Sequence, residues 1–304
     1  MKVLHLTYNE YVETRSKWGS EYINVAGIYK IGVKITKLFR LFPFLKYPFF
    51  MKLFLGEWKK NIGEFDTILL WADRTAPALC NTIHSITPKI RIIAYYVNCC
   101  ALEVSPDAFD TSICELWSFD PEDCRKYNLR YNPPFTIYFN GVESDNYTLF
   151  VKNDIYFLGR DKGRLQDLIE LQRKFENLGL KCSFHIVESR ESKFKENKKY
   201  FSDFISYSKS IEQIKASKAI LDWNVEKQAG ITQRPLESIY LRKKLITNNI
   251  YIRKYDFYNK NNVFIIGIDD FSKLKEFLDS PYQELSKEIV DNYTVNAWIT
   301  RFYK

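Results

Sequence analysis

Short apolar runs, each bounded by polar residues, recur along the chain. KVLHLT (2–7), DTILLW (66–71), IRIIAYYV (90–97), ICELWSF (113–119) and FTIYFN (135–140) are too short and too uniformly apolar for surface helices. They read as strands buried on both faces. Between them the pattern predicts a polar loop over 8–20, a helical stretch from about Ser20, a helix from Ala76, and a short helix after Asp120-Pro121. Asp120 is placed there as its N-cap, with proline at the first position. The same grammar restarts near residue 150. Strands are expected at 154–159, 181–187, 218–223, 243–249 and 262–267. Helices are expected at 164–179, 210–217 and 234–242 and in two C-terminal stretches, the last over 283–303.

Strands alternating with helices imply parallel sheets with right-handed crossovers. The restart implies two of them: an α/β chain with two tandem Rossmann-like domains, 1–148 and 149–282. Ligands of open α/β sheets bind beyond the carboxyl ends of the strands. Two such sheets are therefore expected to face a central cleft lined by the strand-end loops.

The 304 residues carry 46% hydrophobic and 27% charged side chains, which excludes a disordered chain. Six cysteines without a CxxC pair, and only three histidines, argue against a zinc ribbon or a histidine-rich metal site. The thiols are read as reduced and the protein as cytoplasmic, with no signal segment and no membrane-spanning run.

Charge is uneven. Residues 30–60 hold eight Lys and Arg against Glu57 alone, interleaved with Phe, Leu and Tyr. Cations mixed with aromatic and aliphatic side chains suit an anionic membrane surface. Nucleic acid is not expected as a partner, because the cluster lacks a recognisable nucleic-acid motif.

Two segments carry candidate chemistry. IYFLGRDKGR (155–164) runs from a strand through Gly159 into a cationic turn. The glycine is read as letting backbone amides approach a phosphate, with Arg160 or Lys162 neutralising it. ILDWNVEKQAGITQRPLESIYLRKKLITNN (220–249) reads strand, loop, helix, strand. The helix opens near Arg234-Pro235, and its free N–H groups and positive dipole end suit an anion. Thr232 and Gln233 stand before it with phosphate-binding groups, and Glu237 in its first turn suits a ribose diol.

This segment resembles the nucleotide-sugar site of glycosyltransferases with the two-Rossmann GT-B fold, in its xRPxE pattern followed by KKLITNN. The stretch WSFDPEDCRKYNLRYNP (117–133) is similar to segments of bacterial lipopolysaccharide and surface-polysaccharide transferases. The resemblance implies a donor set of Gly159, Arg160, Lys162, Gln228, Gly230, Thr232, Gln233, Arg234 and Glu237. It also implies that the final helix, 283–304, packs back on the first domain. One departure stands out. A paired glutamate at E-x7-E spacing would fall at position 229, which is Ala229. The sugar contact and the choice between retention and inversion therefore stay open.

Glycosyl transfer needs stabilisation of the leaving diphosphate and removal of the acceptor proton. Arg160, Lys162 and Arg234 are the candidates for the diphosphate, in place of a metal, since no Asp-x-Asp triplet is present. Asp73 and Glu10, at strand ends of the first domain, are the candidate bases. The expected protein is a hexosyl- or deoxyhexosyltransferase without cofactor, peripheral at the inner face of the cell membrane. It moves a sugar from a nucleotide sugar to a lipid-linked saccharide of lipopolysaccharide core, O-antigen or capsule. The alternatives are a nucleotide-sugar-binding scaffold without turnover, favoured by the missing glutamate, and a two-domain epimerase.

Overall fold

The structure is a computed structural model and describes residues 1–30, 41–136, 151–189, 192, 198–225 and 228–304. Residues 31–40 of the basic segment and 137–140 of the strand expected at 135–140 lie outside the described residues. The chain divides into two compact units, Met1–Asn140 with Thr294–Lys304, and Gly141–Tyr293.

The first unit holds six strands: β1 (Val3–Thr7), β2 (Ile23–Gly27), β3 (Thr67–Trp71), β4 (Arg91–Tyr96), β5 (Glu115–Ser118) and β6 (Arg130–Tyr131). Their order is β2-β1-β3-β4-β5-β6, and every pairing is parallel. Alternate side chains of a strand enter opposite faces. Leu4, Leu6, Ile68, Leu70, Ile92, Ala94 and Tyr96 form one core with Leu79, Cys80 and Ile83 of the helix Ala76–Ile86. Val3, Leu69, Ile93 and Tyr95 form the other with Trp117, Trp298, Ile299 and Phe302. Covered on both faces, these strands have no polar side to show in the sequence.

Two local expectations fail here. Residues 23–27 form the edge strand β2 rather than part of a helix beginning near Ser20. Ile23 and Val25 are β-branched at alternate positions, and β2 pairs along the whole of β1, from Val3↔Ile23 to Thr7↔Gly27. The stretch read as a loop contains the short helix Val12–Ser16.

The second unit holds β7 (Asn153–Arg160), β8 (Cys182–Val187), β9 (Ser217–Asp222), β10 (Lys244–Thr247) and β11 (Val263–Ile265), ordered β11-β10-β9-β7-β8 and all paired in parallel. Ile155, Phe157, Ala219, Leu221 and Ile246 pack beneath Leu168, Leu171 and Phe175 of the helix Leu165–Asn177. On the other face Leu245, Val263 and Ile265 meet Leu236 and Ile239 of the helix Gln233–Tyr240. The single helix expected over 283–303 is two, Lys287–Asp291 and Val295–Arg301. The first ends with Asn292 as its C-cap, and Thr294 caps the second, its hydroxyl accepting from the Ala297 N–H at 3.3 Å.

Candidate functional site

In the second unit β7 and β9 are neighbours, so the segments leaving their carboxyl ends start side by side. The β7 turn is tied to β8: the Asp161 N–H donates to the Val187 carbonyl and the Lys162 N–H to Ser189 Oγ, at 2.8 and 3.0 Å. Lys162 and Gly163 both take left-handed backbone, with φ of 48° and 83°. Arg160 and Lys162 are exposed.

Gly159 lies inside β7, opposite Ile186, and not in the turn where a phosphate approach was expected. What needs its missing side chain is Arg164. A Cβ at 159 would stand 2.9 Å from Phe157 Cζ and 3.0 Å from Arg164 Nη2. The Arg164 guanidinium lies over the Phe157 ring, 5.6 Å from its centroid, and donates to the Arg160 carbonyl at 3.1 Å. Burial lowers its pKa from the ordinary arginine range, while Asp222 and Asp161 pull the other way. Asp161 is itself wholly buried, and among the described residues neither carboxylate oxygen has a hydrogen-bond partner.

β9 ends at Asp222, which is buried. It accepts from Thr232 Oγ1 at 2.8 Å and Thr247 Oγ1 at 3.3 Å. Burial pushes this carboxyl up, opposed by the two hydroxyls and the Arg164 and Arg234 cations. The following loop is pinned by the two asparagines after β10. Asn248 Oδ1 accepts from the Asn224 N–H at 2.7 Å, and Asn249 Nδ2 donates to the Ala229 carbonyl at 3.2 Å. Gln228 Nε2 donates to the carbonyl of buried Gly230 at 3.2 Å.

The helix Gln233–Tyr240 opens as the sequence suggests, with Thr232 as its N-cap. The Thr232 hydroxyl accepts from the Arg234 N–H at 3.1 Å while donating to Asp222. Its single proton is therefore committed to the protein rather than to a phosphate. Glu237 has no exposed surface and forms an ion pair with Arg234 one turn back, whose side chain is 19% exposed. Burial pushes the Glu237 carboxyl up, and the Arg234 guanidinium opposes that. As placed, Glu237 offers no carboxylate oxygen to a ribose. Asp161, Arg164 and Asp222 carry no motif signal of their own; only their position at strand ends marks them.

In the first unit Asp73 follows β3 and closes the start of the helix Ala76–Ile86. Its Oδ1 accepts from the Thr75 N–H, the Thr75 hydroxyl and the Ala76 N–H at 2.7, 2.8 and 3.2 Å. Asp73 lines a small cavity with Tyr8, Arg15, Trp71 and Thr75. Glu10, the other candidate base, is exposed in the turn Asn9–Tyr11. Among the described residues one metal-ligand-type group occurs, Cys99, Asp120 and Asp123. Its oxygens have structural duties: Asp120 Oδ1 caps the helix Pro121–Tyr127, as expected, and Asp123 Oδ2 accepts from the Cys100 N–H.

In the basic segment Met51, Leu55 and Trp58 are buried, while Phe44, Tyr47, Phe49 and Leu53 stand out from the surface. Lys52 and Lys59 reach backbone carbonyls of Ser85 and Lys52. No helix among the described residues is long and apolar enough to cross a membrane.

No protein-family model matches the chain, and no curated protein does. Solved structures do. The apo form of a lipopolysaccharide outer core galactosyltransferase, WaaB, aligns over 100% of this chain and 98% of its own at 14% identity and TM-score 0.54. A glycosyltransferase from Rickettsia africae aligns over 99% and 96% at 10% identity and TM-score 0.58. Sucrose-phosphate synthase from Thermosynechococcus elongatus aligns over 100% and 98% at 11% identity and TM-score 0.56. With its six-stranded and five-stranded parallel sheets, the chain has the fold of the GT-B glycosyltransferases.

Proposed function

We propose that the chain is a glycosyltransferase. The second unit takes the nucleotide sugar, and the first takes a lipid-linked saccharide of the lipopolysaccharide or capsule kind. The observation that supports this most is the arrangement around Asp222. Arg164 leaves the end of β7 and Arg234 opens the helix after β9, and both act on that one buried carboxylate. Neighbouring strand ends thus hold two ordered arginines, and Arg160 and Lys162 stand exposed where β7 ends. Such an array suits a diphosphate whose charge grows as the sugar leaves. In this reading Arg160 and Lys162 touch the diphosphate, and Arg234 with the Glu237 pair and Gln228, Gly230 and Gln233 shapes the nucleotide side. Asp73 takes the acceptor proton through Oδ2, since its Oδ1 holds the helix. With four cations at hand, transfer needs no metal, and a chelator should leave its rate unchanged.

The test is a thermal-shift panel of UDP, GDP, dTDP, CDP and CMP on the native protein and on Arg160→Gln/Lys162→Gln, exposed positions that leave the fold alone. A nucleotide at 100 times its Kd should add about 2.7 kcal/mol of stability. A shift with one nucleotide, lost in the double variant, supports the reading; no shift with any refutes it. If a shift occurs but no sugar is transferred, the scaffold reading takes its place.

The protein is further proposed to work at the cytoplasmic membrane face through the basic segment. Phe44, Phe49 and Leu53, exposed by 49%, 76% and 61%, would enter the headgroup zone while neighbouring cations meet anionic lipid, each contributing about 1 kcal/mol. Replacing all three by Ser should cut sedimentation with phosphatidylglycerol vesicles and leave nucleotide shifts intact. Equal sedimentation of both proteins would defeat this part.

A further inference from the structure

Arg15 stands on the short helix after β1, and its guanidinium is held from several sides. Its central carbon lies 5.2, 5.8 and 5.0 Å from the ring centroids of Tyr11, Trp18 and Trp71. Its Nη1 is 2.8 Å from His5 Nε2. The other ring nitrogen of His5, Nδ1, sits 3.1 Å from the Leu69 carbonyl. A carbonyl only accepts, so Nδ1 carries the proton and Nε2 accepts from Arg15. Burial, with the Arg15 cation adding to it, holds the His5 pKa at about 3, so the imidazole is neutral at working pH.

Arg15 is therefore gripped by a neutral imidazole and three neutral rings. Among the described residues no carboxylate lies within 4.0 Å of it. A guanidinium has five donor hydrogens, and the only hydrogen bond it makes among these residues goes to His5. Its burial is costly enough to bring its pKa down to about 10, with Tyr11 and Asp73 opposing. Partly desolvated arginines are normally paired with an anion. Arg15 lines the cavity that also takes in Thr7, Tyr8, Asp73 and Thr75. Thr7 is 2% exposed, and its hydroxyl has no hydrogen-bond partner among the described residues. That buried hydroxyl is a second unanswered polar group at the same place.

We infer that Arg15 and Thr7 form an oxyanion subsite of the first unit, taking a carboxylate or phosphate carried by the sugar acceptor. Bound there, the acceptor would present a hydroxyl toward Asp73 on the same cavity. The inference rests on the reading of this unit as the acceptor side, and it narrows the acceptor to an acidic or phosphorylated saccharide. His5 and the aromatic rings preorganise the fork, so little side-chain freedom is lost on binding.

Trp18 and Trp71 flank the guanidinium, so their fluorescence reports on the site without donor or turnover. Glucuronate and glucose 1-phosphate are titrated separately into the native protein, Arg15→Lys, Arg15→Gln and Thr7→Val, with neutral glucose and inorganic phosphate alongside. A saturable change with one of the two acidic sugars, weakened about tenfold or more in Arg15→Gln and less in Arg15→Lys, supports the subsite. The responding sugar tells carboxylate from phosphate, and the inorganic phosphate arm tells a free anion from a sugar-borne one. Equal binding of glucose, undiminished binding in Arg15→Gln, or no response to either acid overturns it. Should Arg15→Gln fail to fold, Arg15→Lys and Thr7→Val, which change the fork and the hydroxyl alone, decide by the same criteria. Nucleotide shifts with no acid binding would leave the transferase reading standing and remove the subsite. Acid binding with no nucleotide shift would do the reverse.

Discussion

His5 sits wholly inside the first unit with its ring neutral, stacked against Trp18 and tilted against Trp71 at 5.3 and 4.5 Å. In the unfolded chain a histidine takes a proton below about pH 6.5, while the folded ring resists to about 3. The unfolded state therefore binds more protons across that window, and stability falls as pH drops through it, by about 1.4 kcal/mol per unit for this group. Urea unfolding at pH 7 and pH 5 should show that loss in the native protein and much less of it in His5→Asn. A parallel fall in both would acquit His5. Gly159 makes a second residue-scale prediction. Gly159→Ala should cost about 1–3 kcal/mol in thermal unfolding, because the new Cβ must displace Phe157 or Arg164. The type of residue at these positions was readable from the sequence, but the neighbours were not. Gly159 looked like a phosphate-approach glycine because it follows a strand, and its real neighbour is a guanidinium five residues on. Glu237 was legible as a first-turn carboxylate. Its complete burial against Arg234 depends on how the helix seats on the sheet, which no spacing reveals.

Elements tell a similar story at a larger size. Strands buried on both faces, such as β3 and β4, announce themselves by continuous apolar runs, and so they fell where the pattern put them. β2 did not, because an edge strand is only half covered and its residues are mixed, so its identity comes from pairing with β1. Helix starts were legible where a cap residue precedes proline, as at Asp120. Asp73 has one duty in the fold and one proposed: its Oδ1 closes the start of a helix, and its Oδ2 is the proposed base. Asp73→Asn separates them. Asparagine keeps an acceptor for the Thr75 and Ala76 donors, so the unfolding midpoint should stay near native. It loses the base, so transfer should slow by at least about 100-fold once donor and acceptor are known. A variant that unfolds early and turns over normally per folded molecule would make Asp73 a cap alone.

At the scale of the whole molecule, the chain order and the compact units do not coincide. The first unit is built from two stretches, Met1–Asn140 and Thr294–Lys304, with the whole second unit between them in sequence. The returning stretch brings Trp298, which is fully buried and packs on Tyr95, Trp71 and Phe135 at 5.0, 5.8 and 4.5 Å between ring centroids. Its backbone is bonded in as well. Asn132 Nδ2 donates to the Trp298 carbonyl at 3.0 Å, Arg301 Nε to Asn132 Oδ1 at 2.7 Å, and Arg91 Nη2 to the Phe302 carbonyl at 2.7 Å. These contacts cover one face of β3 and β4, the face whose strands would otherwise show Leu69, Ile93 and Tyr95 to water. Truncating a buried tryptophan to alanine costs about 3–5 kcal/mol, and a loss of that size should fall on the first unit alone. In hydrogen exchange, Trp298→Ala should therefore speed the amides of β3, β4 and β5 and leave those of β7 and β9 at native rates. Trp298→Phe, which keeps a ring in place, should give a smaller version of the same pattern. Equal acceleration in both units would mean that the last helix stabilises the molecule as one cooperative body rather than completing a single sheet.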